Sequence, residues 1–341
     1  MKINTWFGVL GIGRTGEVLE FELFSKDIRE LARCSIALQE NRQLLMQHLP
    51  PAGFDLKTAA LECGFVESSA EYYSLLHEVM VEAAKLQVSE AFTADQRIIQ
   101  AVEALDDINE TTNLLSERLF EWYGNYFPES GLSGEALALF ITKYGSRENI
   151  GSEDPLYPRA RNSMGAKLEA ADEVLLKGFA ESVCSLYERK RETEAYIQDS
   201  MESIAPNLSL AAGPMLGARL ISVAGSLEKL AAFPSSTVQV IGASKALFKH
   251  LRARAPSPKH GIIYSHPLIN TAPWWIRGKI ARALAAKLSL AARIDFYSGE
   301  KDASLVEKLE VKVEQIKTSN PKPPQKKQDS EVKPKKKRGR K

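Results

Sequence analysis

Cysteine is scarce in this chain: Cys34, Cys63 and Cys184 are the only three in 341 residues, far apart and outside any metal-ligand spacing. That argues for a reducing compartment and against a zinc site, and each thiol reads as a small buried hydrophobe. No apolar run reaches about eighteen residues, so no membrane-spanning helix is expected. The N-terminal stretch MKINTWFGVLGIGRTGE lacks a long apolar core and a small-residue cleavage site, so no secretory signal is expected. No Ser–His–Asp motif, metal-ligand pair or P-loop is present, so neither catalysis, a metal nor a cofactor is expected. His250, His260 and His266 lie near one another in sequence, but not at metal spacing. Asp106–Asp107 sits in a heavily charged segment and reads as solvated surface rather than a general acid–base pair.

One motif mimics a cofactor loop. Gly11, Gly13 and Gly16 spell G-x-G-x-x-G, which in a dinucleotide site must lead directly into a helix. Here EVLEFELF follows, and its alternation of Leu19, Phe21 and Leu23 with Glu20 and Glu22 is strand-like. The glycines therefore read as a hairpin loop, and an oxidoreductase remains only a reading to be checked by nucleotide titration.

What the chain does have is a split charge distribution. Its net charge is only +2, from 45 Lys and Arg against 43 Asp and Glu. Yet residues 242–301 hold eleven positives against Asp295 and Glu300, or +9. The last 24 residues hold ten positives against Asp329 and Glu331, or +8, which leaves −15 for the rest. An acidic body with a basic C-terminal part implies a polyanion partner for that part only. On a helix from Ala243, the side chains Lys245, Lys249 and Arg252 share one face. Like charges gathered on a surface repel, and their usual use is to neutralise phosphates; the alternative is a solvated basic face with no ligand.

Taken in order, residues 1–88 read as a small α/β domain. Strands are expected at Thr5–Leu10 and Val18–Phe24, and a helix over Asp27–His48 with Ser25 as N-cap, ended by Pro50–Pro51. Two more helices are expected, at Lys57–Glu62 and after Ser68–Ser69. Residues 89–204 form a coiled-coil region. Its first long helix covers 93–127, with Ile98, Val102, Leu105, Ile108, Thr112, Leu115, Leu119, Trp122 and Tyr126 as a near-heptad seam. Its second runs from Asn162 to Ile204 with a stripe through Met164, Leu168, Ala171, Leu175, Phe179, Val183 and Leu186, and spans ~55 Å. Helices that long need a partner: they fold back as an antiparallel hairpin, with pairing of two hairpins in a dimer or a monomeric bundle both open. Residues 205–301 read as an all-α module of short helices punctuated by Pro206, Gly213, Pro214 and Gly225. Residues 302–341 read as a basic, disordered tail. The fold class expected is mainly α: a small N-terminal α/β domain, a long antiparallel coiled-coil hairpin, an all-α C-terminal domain and a tail.

The stretch GASKALFKHL resembles the GAEKALF signature of the Nop domain, and KHGIIYSHPLI followed by RGKIARALAAKLSLAARID matches the rest of that pattern. RLFEWYGNYFPE also resembles the family's sequence at its position. The Nop family comprises core proteins of box C/D guide-RNA particles, with archaeal members, nucleolar relatives and a spliceosomal one. Ser244 departs from the pattern, standing where an acidic residue is usual, so a role for that acid does not carry over.

The resemblance implies a non-catalytic scaffold that binds a kink-turn guide RNA together with a small kink-turn-binding ribosomal-type protein. It also implies docking of the methyltransferase fibrillarin on the N-terminal domain for ribose 2′-O-methylation, and dimerisation through the coiled coil. The alternative is a splicing-type assembly protein without a methyltransferase. An archaeal chain would be cytoplasmic, a eukaryotic one nucleolar. The expected RNA face combines Lys245, Lys249, His250, Arg252, Lys259, His260, Arg277, Lys279 and Arg282, with cations positioning the backbone rather than reading sequence. Gly242, Ala243, Ala246, Leu247 and Phe248 form the particle-packing motif, with Leu247 and Phe248 either inserting beside an RNA helix end or packing into the core. Of Trp274 and Trp275, one is expected in the core and the other is free to stack on a base.

Overall fold

The structure, a computed structural model, describes residues 2–13, 16–40, 54–253 and 256–323, and within these not the side chains of Lys245, Leu247, His250 and Leu251. The expected helix end near His48, the Pro50–Pro51 stop, Arg254 and the tail from 324 lie outside the described residues. The chain divides into two compact units, Met1–Thr93 and Ala94–Lys341.

In the first unit, β1 (Lys2–Asn4), β2 (Gly8–Ile12) and β3 (Val18–Leu23) form an antiparallel sheet in sequence order. The single strand expected at Thr5–Leu10 is in fact broken by a turn. Thr5 N and its hydroxyl both donate to Gly8 O, and Gly8 N donates back to the Thr5 hydroxyl, satisfying a buried backbone locally. β2 and β3 pair antiparallel, with Gly16 at φ +95°, so the glycine motif leads into strand β3 and not into a helix. Helices α1 (Ile28–Glu40), α2 (Leu56–Glu62) and α3 (Ser69–Ala91) follow. The cap of α1 is Asp27, which accepts from Glu30 N, rather than Ser25, whose hydroxyl donates to the Glu30 carboxylate. Trp6, Phe7, Phe65 and Tyr72 form an aromatic cluster in the core. The apolar alternation of β3 is real, but two of its three members face outward: Leu19 is 67% and Phe21 54% exposed, while Leu23 packs against the core.

The second unit opens with α4 (Ala94–Tyr123) and continues through α5 (Gly134–Tyr144), α6 (Tyr157–Arg161) and α7 (Ala170–Ile204). α4 and α7 run antiparallel: Ser116 meets Tyr187 at 3.2 Å, and further along the Tyr126 hydroxyl donates to Asp172 at 3.3 Å. Between them, α5 and α6 close the hairpin's tip over a core of Tyr123, Phe127, Phe140 and Leu176. α7 differs from the expected helix in two respects. It starts at Ala170 rather than near Asn162, because residues 163–166 are tied down from outside. The Glu129 carboxylate accepts from Ser163 and Met164, and the Arg147 guanidinium donates to the Gly165 and Ala166 carbonyls. Met164 is accordingly 88% exposed. The inward stripe runs through Leu176, Ala180 and Val183, so Leu175 faces solvent.

The base of the hairpin is built into the C-terminal module. Gln96 Nε2 donates to Gly225 O at 3.0 Å, Leu227 N donates to Asp95, and the Arg219 guanidinium grips Asp106 through both nitrogens. Thus Asp106 is a surface ion-pair partner. The module comprises α8 (Pro206–Ala212), α9 (Pro214–Ala224), α10 (Leu227–Ala232), α11 (Ser235–Val240), α12 (Ser244–Ala253), α13 (Pro267–Asn270), α14 (Arg277–Tyr297) and α15 (Ser304–Thr318). Alanines of α14, buried at 281, 285, 291 and 292, let neighbouring helices approach closely. The disordered tail expected from 302 does not start there, because residues 304–318 form α15. Leu305, Leu309 and Val313 recur at helical spacing and bury α15 against the same core. The basic composition of the region masks this stripe.

Candidate nucleic-acid interface

A buried polar clasp holds the module together. Asp295, in the last turn of α14, accepts from Asn207 N, Asn207 Nδ2 and Leu208 N at 3.0, 2.7 and 2.8 Å. Asn207 in turn donates to Glu300 O and accepts from Asp302 N. The Asp295 carboxylate therefore faces inward, and the stretch 242–301 presents even less negative charge outside than its sequence count implies.

α12 is hung from two glycines. Gly242, at φ +79°, sits where a Cβ would overlap Ile262, and a Cβ on Gly261 would overlap the Ile241 carbonyl. Backbone bonds from Gly261 N to Gln239 O and from Ile262 N to Ile241 O lock the two chain segments together. Gly242 thus has a conformational reason for its place in the motif. Lys249 and Arg252 are exposed on α12, and Phe248 is 55% exposed with the Arg252 guanidinium 4.5 Å from its ring centroid. Phe248 is therefore surface, not core. Ala243 is half-buried and Ala246 exposed. The side chains of Lys245, Leu247 and His250 lie outside the described residues.

A second group gathers around Tyr264, which lies in the KHGIIYSHPLI stretch but is not among the expected site residues. His260 stacks on its ring at 4.6 Å, and the Arg277 guanidinium lies 5.6 Å from the same ring. Burial holds the His260 imidazole below its usual pKa, helped by the positive charges of Arg277 and Lys259. Lys259 stands 6.0 Å over Trp274, which is 60% exposed. Trp275 is the half-buried member of the pair, its indole donating to Asn320 O. Arg277 also braces the backbone beneath it, donating to the Ala272 and Asn270 carbonyls. His266 accepts from Leu268 N, capping α13, so it packs rather than binds.

Lys279 and Arg282 do not join this group. They lie on a different face of α14, where Lys279 meets the Asn320 side chain and both line a groove against α15. Of the seven predicted residues whose side chains are described, Lys279 and Arg282 therefore lie on a surface apart from His260 and Arg277. Among the described residues, no carboxylate forms an ion pair with Lys249, Arg252, Lys259, Arg277, Lys279 or Arg282, so their charge stays available to an external anion. Among the same residues no cluster of His, Cys, Asp or Glu suits a metal, and no helix is long and apolar enough to cross a membrane.

A family model for Nop, described as a snoRNA binding domain with fibrillarin, matches residues 104–317, from the long hairpin through α15. The chain belongs to the Nop family. An uncharacterized NOP5 family protein of Methanocaldococcus jannaschii is 45% identical over 277 residues, 77% of this chain and 67% of that protein. Nucleolar protein 58 of Mycosarcoma maydis is 38% identical over 59% of this chain, and nucleolar protein 56 of Bos taurus 36% over 65%. The chain spans about two thirds of the Methanocaldococcus protein but only 37% and 40% of the fungal and bovine ones. A solved fibrillarin/Nop5p complex is similar over 93% of this chain and 100% of that one, at 26% identity and TM-score 0.45. For this Nop-family chain the matched region covers the α12 cations, the group around Tyr264, the α14–α15 groove and nearly the whole of α15.

Proposed function

We propose that the chain is the non-catalytic scaffold of a box C/D guide-RNA particle. It seats kink-turn RNA with a small kink-turn-binding protein and brings fibrillarin to its ribose target. The reading is carried by one coincidence: the snoRNA-binding family match contains exposed cations, Lys249, Arg252 and Lys259, that form no ion pair among the described residues. Lys249, Arg252, Lys259 and Arg277 meet phosphates, and Phe248 and Trp274 offer faces for the end of an RNA stack. The outward face of β3 at Leu19 and Phe21 is the fibrillarin seat. Leu114, Phe120, Val174 and Leu175, all exposed on α4 and α7, are the surface through which a second copy pairs. Such a particle would work in the cytoplasm of an archaeon or the nucleolus of a eukaryote.

The test is reconstitution. Kink-turn RNA is mixed with the full chain, with and without the small partner, and fibrillarin is then added. A complex that needs both proteins, and that then retains fibrillarin, is expected. Leu19→Asp with Phe21→Asp should lose fibrillarin while keeping RNA. Assembly on RNA with no retention of fibrillarin by the wild type would favour a splicing-type role instead.

A further inference from the structure

The groove between α14 and α15 is a feature the proposed kink-turn face does not use. It has a volume of about 440 Å³ and an alanine and aliphatic floor at Ala283, Ala286 and Leu309. Lys279, Arg282 and Lys287 stand on its α14 wall, and Lys308 and Lys312, one helical turn apart, on the other. Among the described residues none of the five forms an ion pair. Asp302, within electrostatic reach of Lys287 and Lys308, has one oxygen taken by Ser304 N. Collecting five cations along a carbon-lined groove costs repulsion, which Asp302 relieves only at the Lys287 and Lys308 end.

We propose that this groove is a second seat for RNA, with riboses over the alanine floor and phosphates on the lysine and arginine rim. It rests on the reading of the chain as a guide-RNA scaffold and adds to it a contact beyond the kink-turn. Three observations choose this occupant. The chain's own C-terminal residues after 323 carry nine Lys and Arg against Asp329 and Glu331, so like charge keeps them out. From Lys279 to Lys287 the wall is only ~12 Å long, shorter than the ~18 Å of a dozen-residue docking helix, the minimum for marginal stability. The groove also shares α14 with Arg277 of the group around Tyr264, so one RNA can run from one to the other.

The experiment measures fluorescence anisotropy of a labelled kink-turn RNA with a long duplex arm, bound by the full chain and the small kink-turn-binding protein across salt concentrations. Lys308→Ala with Lys312→Ala removes two phosphate contacts. The slope of log affinity against log salt should fall by about 1.4–1.8, and affinity by roughly ten- to a hundredfold at low salt. Both lysines are exposed and alanine favours helix, so the variant should keep the wild-type unfolding curve. Arg282→Ala, on the opposite wall, should lower the slope by about 0.7–0.9 and tests the groove without touching α15. If both groove variants keep the wild-type slope while Lys249→Glu with Arg252→Glu loses RNA, the groove proposal is overturned and the kink-turn face stands. If a polyglutamate peptide binds the wild type, fails on Lys308→Ala with Lys312→Ala, and RNA is indifferent to that change, the groove takes an acidic protein and the proposal is likewise overturned. If the Lys249 and Arg252 reversal has no effect either, the kink-turn reading falls as well.

Discussion

Replacing Asp295 by alanine should unfold the C-terminal module well before the wild type. The carboxylate accepts three N–H groups from a buried position: two are first-turn amides of α8, and the third is the Asn207 side chain. Losing an N-cap acceptor costs about 1–2 kcal/mol. Each hydrogen bond to a charged acceptor is worth about 1.5–3 kcal/mol, and the orphaned donors remain buried. The three share one network and do not add, so about 3–5 kcal/mol is the expected loss. For a unit of this size each kcal/mol moves Tm by about 2–4 °C, so a fall on the order of 10 °C follows. Asp295→Asn keeps one acceptor oxygen and should lose about half as much. Circular dichroism at the helical band, followed on heating, reads both variants. A drop below ~3 °C for the alanine variant would refute the idea that this clasp joins α8 to α14 and the turn into α15.

Other consequences are checked by similar means. Gly242→Ala forces a side chain to φ +79° and into Ile262, costing about 1–2 kcal/mol for the left-handed backbone alone; it should lower Tm and weaken RNA assembly by displacing α12. The Thr112 hydroxyl is buried in the coiled-coil seam with no hydrogen-bond partner among the described residues, so Thr112→Val should raise stability by about 1 kcal/mol in a denaturant titration. His266 caps α13 as a neutral imidazole, and burial holds its pKa below the usual value. Its contribution is full above the unfolded value of about 6.5 and is lost as pH falls below it. Stability should therefore decline from pH 7 toward 5, less steeply in His266→Asn, which still caps; His260 supplies a further part of the slope. If ~6 phosphates are contacted, RNA affinity should fall about a thousandfold from 50 to 200 mM salt, and a flat response would contradict the phosphate assignment.

Charge and period were legible in the linear chain, because both depend on residue type and local spacing. The acidic body, the basic module, the glycine hairpin and the two long helices follow from those alone. The Nop signature then marked out α12 and α14. Three things needed the folded molecule. Met164 lies outside α7 because Glu129 and Arg147, distant in sequence, hold residues 163–166 by their backbone. Leu19 and Phe21 alternate as a strand should, but periodicity does not say which face of a sheet its helices cover. Lys279 and Arg282 parted from Arg277 because the helix turns them onto another face, and Lys308 and Lys312 joined them only once α15 folded back onto α14. Composition decided that the C-terminal part carries the excess positive charge. Tertiary packing decided which cations share a surface, since that depends on side-chain direction and on contacts between segments that the order of residues leaves unspecified.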